Sequence, residues 1–163
     1  MTTTLDATAL AMRELRPAAL PWTLLLEADP YAPHVETYLH RATWFALYER
    51  STLLGVAALL RQDAQTIELM NVAISPARRR EGLGLHLLRC LLDEARRMGA
   101  GRMRVGTGNS SLAELAFYQR AGFRLDAIEH DHFVRQYPQP IVENGIVCRD
   151  RVLLVIELSG SAS

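Results

Sequence analysis

The stretch Ser75-Pro-Ala-Arg-Arg-Arg-Glu-Gly-Leu-Gly84 decides how this 163-residue chain is organised. It follows an apolar run, Thr66–Ile74, that predicts a strand, and it leads into Leu83–Met98, which predicts an amphipathic helix. Gly82 and Gly84 let backbone N–H groups turn toward a ligand, while the helix start adds unpaired N–H donors and the positive end of the helix dipole. Strand, turn and helix together predict a binding site for a pyrophosphate.

The basic residues of the chain are unusual, because all 18 of them are arginines. Without lysine, a Walker A loop and Schiff-base chemistry are excluded. A dinucleotide fingerprint also fails, because no third small residue follows Gly84 at the required spacing. Eight arginines and three acidic residues between Arg78 and Arg104 give a local net charge of +5, so the rest of the neutral chain carries −5. This balance argues against a general nucleic-acid binder and weakly favours a cationic partner.

Length and composition predict one domain over residues 1–163, with a frayed tail at 159–163. Cys90 and Cys148 do not make a disulfide framework, and no stretch has the pattern of a secretion signal or a membrane span. We therefore expect a cytoplasmic protein without membrane contact. His130-Asp-His132 could place two histidines on one strand face, but a third ligand is not apparent nearby, so polar surface residues are favoured over a metal site.

Alternating elements are predicted along the rest of the chain. Strands are expected at Ala9–Leu15, Thr43–Tyr48, Leu53–Leu60, Thr66–Ile74, Arg102–Gly106, Leu125–Phe133 and Val152–Leu158. Shorter helices are expected at Pro21–Leu26, at Ala32–His40, and from a capping box at Ser111–Glu114 to Gly122. This order predicts an α/β fold with a mixed sheet, in which parallel pairing is confined to the strands around the two later helices.

The spacing Arg79-x-x-Gly82-x-Gly84 resembles the acyl-CoA-binding motif of the GNAT superfamily of N-acetyltransferases. Further motifs resemble this family in the same order along the chain: Val72–Pro76, Val105–Ser111, Ala116–Phe123 and, in an uncharacterised bacterial branch, Tyr137–Gly145 with Arg149-Asp150. Position 80 departs from the family, which usually has glycine there. We expect an ordinary backbone conformation for Arg80 and hence a slightly different loop path.

The resemblance implies the GNAT fold, a mixed, mostly antiparallel sheet in which the parallel strands 4 and 5 splay apart and helices flank the sheet. It implies acetyl-CoA as cosubstrate, with its pantetheine arm paired to the fourth strand like an added strand. A backbone N–H near Val72 would stabilise the oxyanion of the thioester. The residues implied to bind the cofactor are Val72, Ala73, Ile74, Arg79, Arg80, Glu81, Gly82, Leu83, Gly84, Leu85 and Asn109.

Two proton transfers then need side chains. A primary amine with a pKa of about 10 is mostly protonated at neutral pH, so a general base must remove its proton directly or through water. Glu68 is the candidate base, with a solvated strand carboxylate as the alternative, and Asn71 is a weaker candidate for holding water or substrate. Tyr118 matches the family's tyrosine general acid, with a core aromatic as the alternative. Cys90 lies on the apolar side of its helix, so a covalent acetyl-cysteine is not expected.

The function implied is acetyl-CoA-dependent N-acetylation of a primary amine, by direct attack in a ternary complex. The alternative is a non-catalytic acyl-CoA-binding regulatory module of the same fold, and a third possibility is acetylation of protein lysines or N-termini. The expected partner is a small-molecule or peptide amine rather than nucleic acid, and a homodimer is left open.

Overall fold

The computed structural model describes residues 7–158, so the predicted frayed tail at 159–163 lies outside the described residues. The strands are β1 Leu10–Leu15, β2 Thr43–Glu49, β3 Thr52–Arg61, β4 Thr66–Ile74, β5 Arg102–Gly108, β6 Arg124–Glu129, β7 Val142–Glu143, β8 Ile146–Val147 and β9 Arg151–Glu157. The α-helices are α1 Trp22–Ala28, α2 Ala32–Glu36, α3 Leu83–Arg97, α4 Leu112–Arg120 and α5 His132–Gln136.

The first of two compact units comprises residues 7–60 and 70–94 of the described chain. Its strands follow the order β1-β2-β3-β4, and β1 and β3 both pair antiparallel with β2. Tyr38 stacks on Trp44 in the core of this unit, with ring centroids 6.0 Å apart. Leu25, Val35 and Val56 are fully buried around these two rings, so α1 and α2 are held mainly by apolar packing.

The second unit comprises residues 61–69 and 95–158, and its strands follow the order β4-β5-β9-β6. β4 pairs parallel with β5, from Thr66 with Arg102 to Leu69 with Val105, whereas β9 pairs antiparallel with both β5 and β6. Among the described residues the parallel pairing stops there, although both strands continue further. The mixed α/β fold is thereby confirmed, with parallel strands where the β4–α3–β5 connection requires them.

Helix α3 follows its predicted apolar pattern closely. Leu87, Leu88, Leu91 and Ala95 are buried along one stripe, and arginines occupy the last turn. The helix ends at Arg97 before Gly99, whose φ of 82° is a conformation that favours glycine. The sequence predicted this helix because burial and capping both depend on residues close together in the chain.

Two predicted helices differ in detail from those observed. α2 ends at Glu36 rather than His40, and the Thr37 hydroxyl donates to the carbonyl of His34 at 2.6 Å, which satisfies a group at the end of the helix. The prediction of a capping box at the start of α4 is wrong. Ser111 precedes the helix but makes no capping bond, and Glu114 instead accepts a hydrogen bond from the hydroxyl of Thr107 at 2.6 Å.

The prediction of a strand through Phe133 is wrong at its end. β6 stops at Glu129, Asp131 adopts a left-handed φ of 59°, and His132 begins α5. His130 and His132 therefore do not share a strand face. A hairpin of β7 and β8 was not predicted, although Asn144-Gly145, both with positive φ, is a typical two-residue hairpin turn.

Candidate active site

The loop before α3 turns through two left-handed residues. Arg80 has a φ of 66° and Gly82 a φ of 79°. The expectation of an ordinary backbone at Arg80 is therefore wrong. This arginine adopts a left-handed conformation that glycine takes more easily, and it destabilises the fold by roughly 1–2 kcal/mol. The amide of His86 donates to the carbonyl of Gly82 at 3.1 Å, so the amides before it precede the first helical hydrogen bond. The loop has the geometry of an anion-binding helix start.

The three arginines of this loop have different surroundings. Arg78 donates to Glu81 at 2.8 Å and to Glu49 at 3.1 Å, and these carboxylates raise the pKa of its guanidinium above its usual range. Its charge is therefore balanced within the fold. Arg79 is half exposed in a 3.4 Å ion pair with Glu27, and Arg80 is exposed. Arg79 and Arg80 are the cations available to an anionic ligand.

The last residues of β4 precede this loop directly. Val72 and Ile74 are partly exposed, whereas Ala73 is buried against the core of the first unit. The amide of Ser75 donates to the carbonyl of Leu54 at 2.7 Å, which fixes the point where β4 gives way to the loop. The backbone of residues 72–74 therefore leads directly into the loop before α3.

Glu68 is a buried carboxylate, 3% exposed, held by arginines from two other strands. Its Oε1 accepts from Nε of Arg104 at 2.6 Å, and its Oε2 accepts from Nη2 of Arg151 at 3.0 Å. Arg151 also donates to Glu129 at 2.5 Å, so each strand of the second unit's sheet contributes one charged side chain to this network. The sequence did not reveal Arg104 and Arg151 as partners, because the pairing depends on strand register.

Gly106 makes room for this network. A Cβ at this position would lie 2.5 Å from Nη2 of Arg151 and closer still to its Nε and Cζ. The guanidinium can cross β5 to reach Glu68 only because position 106 has no side chain.

Tyr118 is buried on α4, with only 4% of its surface exposed. Its ring lies edge-on to Phe117 and Phe123, at centroid distances of 5.2 and 5.4 Å. Burial, with a smaller contribution from the charge of Glu114, raises the pKa of Tyr118 above its ordinary value. The phenol is therefore protonated at neutral pH and able to donate a hydrogen bond.

The side chain of Asn109 holds the segment before β9 in place. Its Oδ1 accepts from the amides of Arg149 at 2.8 Å and Asp150 at 2.9 Å, and its Nδ2 donates to the carbonyl of Val147 at 3.1 Å. A cofactor contact by this side chain would have to replace or add to these bonds. The cofactor role of Asn109 stays a prediction.

A buried polar cluster in the first unit was only partly anticipated. Asn71, 3% exposed, donates through Nδ2 to the carbonyl of Leu25 at 3.1 Å and to the hydroxyl of Tyr38 at 3.2 Å. Its Oδ1 is buried and makes no hydrogen bond among the described residues. Nearby in the chain, His34 contacts the carboxylate of Asp29. Asn71 therefore anchors α1 to β4, with one acceptor left for a water or a ligand.

A pocket of about 360 Å³ lies beside α1 in the first unit. It is lined by Trp22, Leu24, Glu27, Leu53 and Pro76, among others. Its size falls in the range of small-molecule sites.

No helix within residues 7–158 combines the length and apolarity needed to cross a bilayer.

Comparison with known proteins gives consistent results. A family model described as the acetyltransferase (GNAT) family matches residues 9–123. An uncharacterized N-acetyltransferase of Bacillus subtilis (strain 168), YvbK, is 41% identical over 137 residues, covering 84% of this chain and 88% of its own. An IAA acetyltransferase structure from Bacillus cereus ATCC 14579 has 38% identity and a TM-score of 0.86, over 91% of this chain and 99% of its own. A GNAT family acetyltransferase from Elizabethkingia anophelis, solved with acetyl-CoA bound, has 32% identity and a TM-score of 0.88, over 91% and 98%.

Proposed function

Because the chain belongs to the acetyltransferase (GNAT) family and is an acyltransferase, we propose that it transfers an acetyl group from acetyl-CoA to a primary amine by direct attack in a ternary complex. One observation carries this proposal. The loop of residues 79–85 presents the start of the 15-residue helix α3 through two left-handed residues, next to two arginines able to meet an anion. This geometry suits the pyrophosphate of a coenzyme A ester.

The acyl donor in this proposal is acetyl-CoA, which the Elizabethkingia relative contains. Its pyrophosphate binds the amides from Arg79 to Leu85, and its pantetheine arm pairs with the backbone of residues 72–74. Arg79 leaves Glu27 to meet the phosphates. Both side chains of that ion pair are about half exposed, so breaking it costs less than about 1 kcal/mol. The backbone N–H near Val72 stabilises the oxyanion that forms when the amine attacks.

Removing the proton of the amine is assigned to Glu68. Because both of its oxygens already accept from arginines, the carboxylate acts through a bound water or after releasing one ion pair. The two ion pairs fix the position of the carboxylate, which is the condition for relaying a proton along a defined path.

Tyr118 is assigned to the leaving thiolate. The raised pKa of its phenol keeps the proton in place, so the hydroxyl donates a hydrogen bond as the C–S bond breaks. Complete transfer to a thiolate whose conjugate acid has a pKa of about 8.5 is uphill from such a phenol. Tyr118 therefore contributes chiefly by stabilising the developing negative charge.

Direct attack is favoured over an acetyl-cysteine intermediate. Cys148 is buried, and burial raises the pKa of its thiol, which keeps the thiol un-ionised at neutral pH. Initial-rate kinetics distinguish the two routes. A ternary complex gives intersecting double-reciprocal lines when both substrates are varied, whereas a covalent intermediate gives parallel lines.

The acceptor is a small-molecule or peptide amine, and the net charge of −5 outside residues 78–104 favours one with a further positive charge. The deciding experiment is release of the coenzyme A thiol in the presence of a panel of polyamines, aminoglycosides, amino acids and peptides with free N-termini. Turnover with any of them supports the proposal. Calorimetric binding of acetyl-CoA without turnover across the panel would instead favour the non-catalytic binding module.

A further inference from the structure

Strand β6 leaves one side of its backbone open. It lies at the end of the strand order, and within residues 7–158 it pairs only with β9. Residues 124–128 are all exposed, including Leu125 at 60% and Ile128 at 55%. An exposed edge with apolar side chains is a template for pairing with another strand.

A bulge at Asp126 sets the faces of this strand. Leu125 pairs with Leu154 and Ala127 with the next residue along, Leu153, so Asp126 is an extra residue. Leu125 and Ile128, which pair with Leu154 and Val152, therefore lie on the same face, although a regular strand would place them on opposite faces. Arg124 pairs with Val155 and Glu129 with Arg151, so these two residues share the other face of the strand.

This register makes β6 complementary to itself. When two copies pair antiparallel about a two-fold axis between positions 126 and 127, Leu125 of each copy opposes Ile128 of the other, and Arg124 opposes Glu129. Opposed residues of an antiparallel pair must share a face, and the bulge supplies that match for both pairs. Two apolar pairs and two ion pairs then form at once, with opposite charges facing each other.

We propose that β6 is a homodimer interface, in which a second copy of this chain pairs antiparallel with residues 124–129. Two usual protections of an edge are absent, because the strand has no proline and the chain has no lysine. One strand from each copy is a small interface, so we expect dissociation constants in the micromolar range. The side chain of Glu129 is 41% exposed while it accepts from Arg151, so it can also accept from the guanidinium of Arg124 in the second copy.

Disulfide trapping tests the register directly. Leu125→Cys and Ile128→Cys variants are prepared separately, mixed and oxidised, with the wild-type chain as the control for Cys90 and Cys148. The mixture is expected to give a cross-linked dimer, because opposed Cβ atoms in such a pair are about 5 Å apart. The Leu125→Cys chain alone is expected to stay uncross-linked, since residue 125 opposes residue 128. Equal cross-linking in the single variant and the mixture would overturn this register.

Sedimentation velocity over a concentration series tests the association itself. Arg124→Glu places like charges against Glu129 and is expected to weaken association at least tenfold. Arg120→Glu makes the same change of charge at the exposed last residue of α4 and is expected to leave association unchanged. Circular dichroism checks that both variants remain folded. A wild-type chain that stays monomeric up to about 0.5 mM, or equal weakening by both substitutions, refutes the proposal.

Discussion

Replacing Gly106 by alanine tests how the buried carboxylate of Glu68 is held. The new Cβ would lie 2.5 Å from Nη2 of Arg151, far inside van der Waals contact, so the flexible guanidinium has to move. Movement breaks its 3.0 Å bond to Glu68 and leaves a carboxylate that is 3% exposed with one arginine instead of two.

The magnitude follows from the type of bond that is lost. A hydrogen bond between charged groups contributes about 1.5–3 kcal/mol. Alanine also raises the free energy of unfolding by up to about 1 kcal/mol, because it restricts the unfolded chain more than glycine does. We expect the free energy of unfolding to fall by about 1–2 kcal/mol, which for a chain of this length lowers Tm by about 4 °C. Urea unfolding followed by circular dichroism measures the free energy, and calorimetry measures Tm.

A double-mutant cycle separates this explanation from a general packing effect. In a Glu68→Gln background the carboxylate that needs Arg151 is absent, so Gly106→Ala should no longer destabilise the protein and should leave the free energy of unfolding unchanged or up to about 1 kcal/mol higher. The two substitutions are therefore expected to be strongly non-additive. If their effects add within about 0.5 kcal/mol, Arg151 does not stabilise Glu68 and the reasoning is refuted. The kcat of Glu68→Gln and Gly106→Ala is measured under conditions in which both variants are folded. A fall in kcat under these conditions would favour Glu68 as the base.

Further predictions concern Tyr118, the loop and the effect of pH. Tyr118→Phe should lower kcat with little change in acetyl-CoA affinity, and an unchanged kcat in single-turnover assays would remove Tyr118 from the mechanism. Acetyl-CoA at 100 times its Kd should stabilise the wild type by about 2.7 kcal/mol in thermal unfolding and stabilise Arg79→Ala less, and no shift at millimolar acetyl-CoA counts against the loop. Arg80→Gly should raise the free energy of unfolding by roughly 1 kcal/mol by relieving the left-handed residue, whereas a loss of stability would show that the arginine side chain stabilises the loop. Burial raises the pKa of Tyr38 to about 12, so the native state keeps a proton that the unfolded chain loses near pH 10, and Tyr38 should lower the stability by up to about 3 kcal/mol from pH 10 to 12, with a further fall from the buried Tyr118. Tyr38→Phe should reduce this fall, and tyrosinate absorbance measures the titration.

The helices and strands were largely predictable where local pattern and burial agree. β4 was predicted with the observed bounds, Thr66–Ile74, and α3 within one residue of its end, since both carry long apolar patterns bounded by proline or glycine. The error beyond Glu129 has a tertiary cause. The amide of Asp131 donates to the carboxylate of Asp150 at 2.9 Å, and that distant partner stabilises a left-handed conformation that aspartate adopts only occasionally.

The candidate site was predicted less completely than the fold. The phosphate-binding loop is a local motif, so its glycines and arginines can be identified from the amino-acid sequence alone. The motif did not show that its arginines have different partners. The charge of Arg78 is balanced by Glu49, which lies 29 residues earlier in the chain. The capping box failed in the same way, because Glu114 binds Thr107 on the preceding strand rather than the start of its own helix.

The amino-acid sequence sufficed for the element order, the family motifs and the anion-binding loop, because each depends on residues within about ten positions of one another. Tertiary structure was needed to show that Glu68 is held by two arginines, that Asn109 anchors the segment before β9, and that the bulge brings Leu125 and Ile128 to one face. These three features depend on strand register. A shift of one residue reverses every side chain on a strand, and long-range pairing rather than local propensity fixes that register.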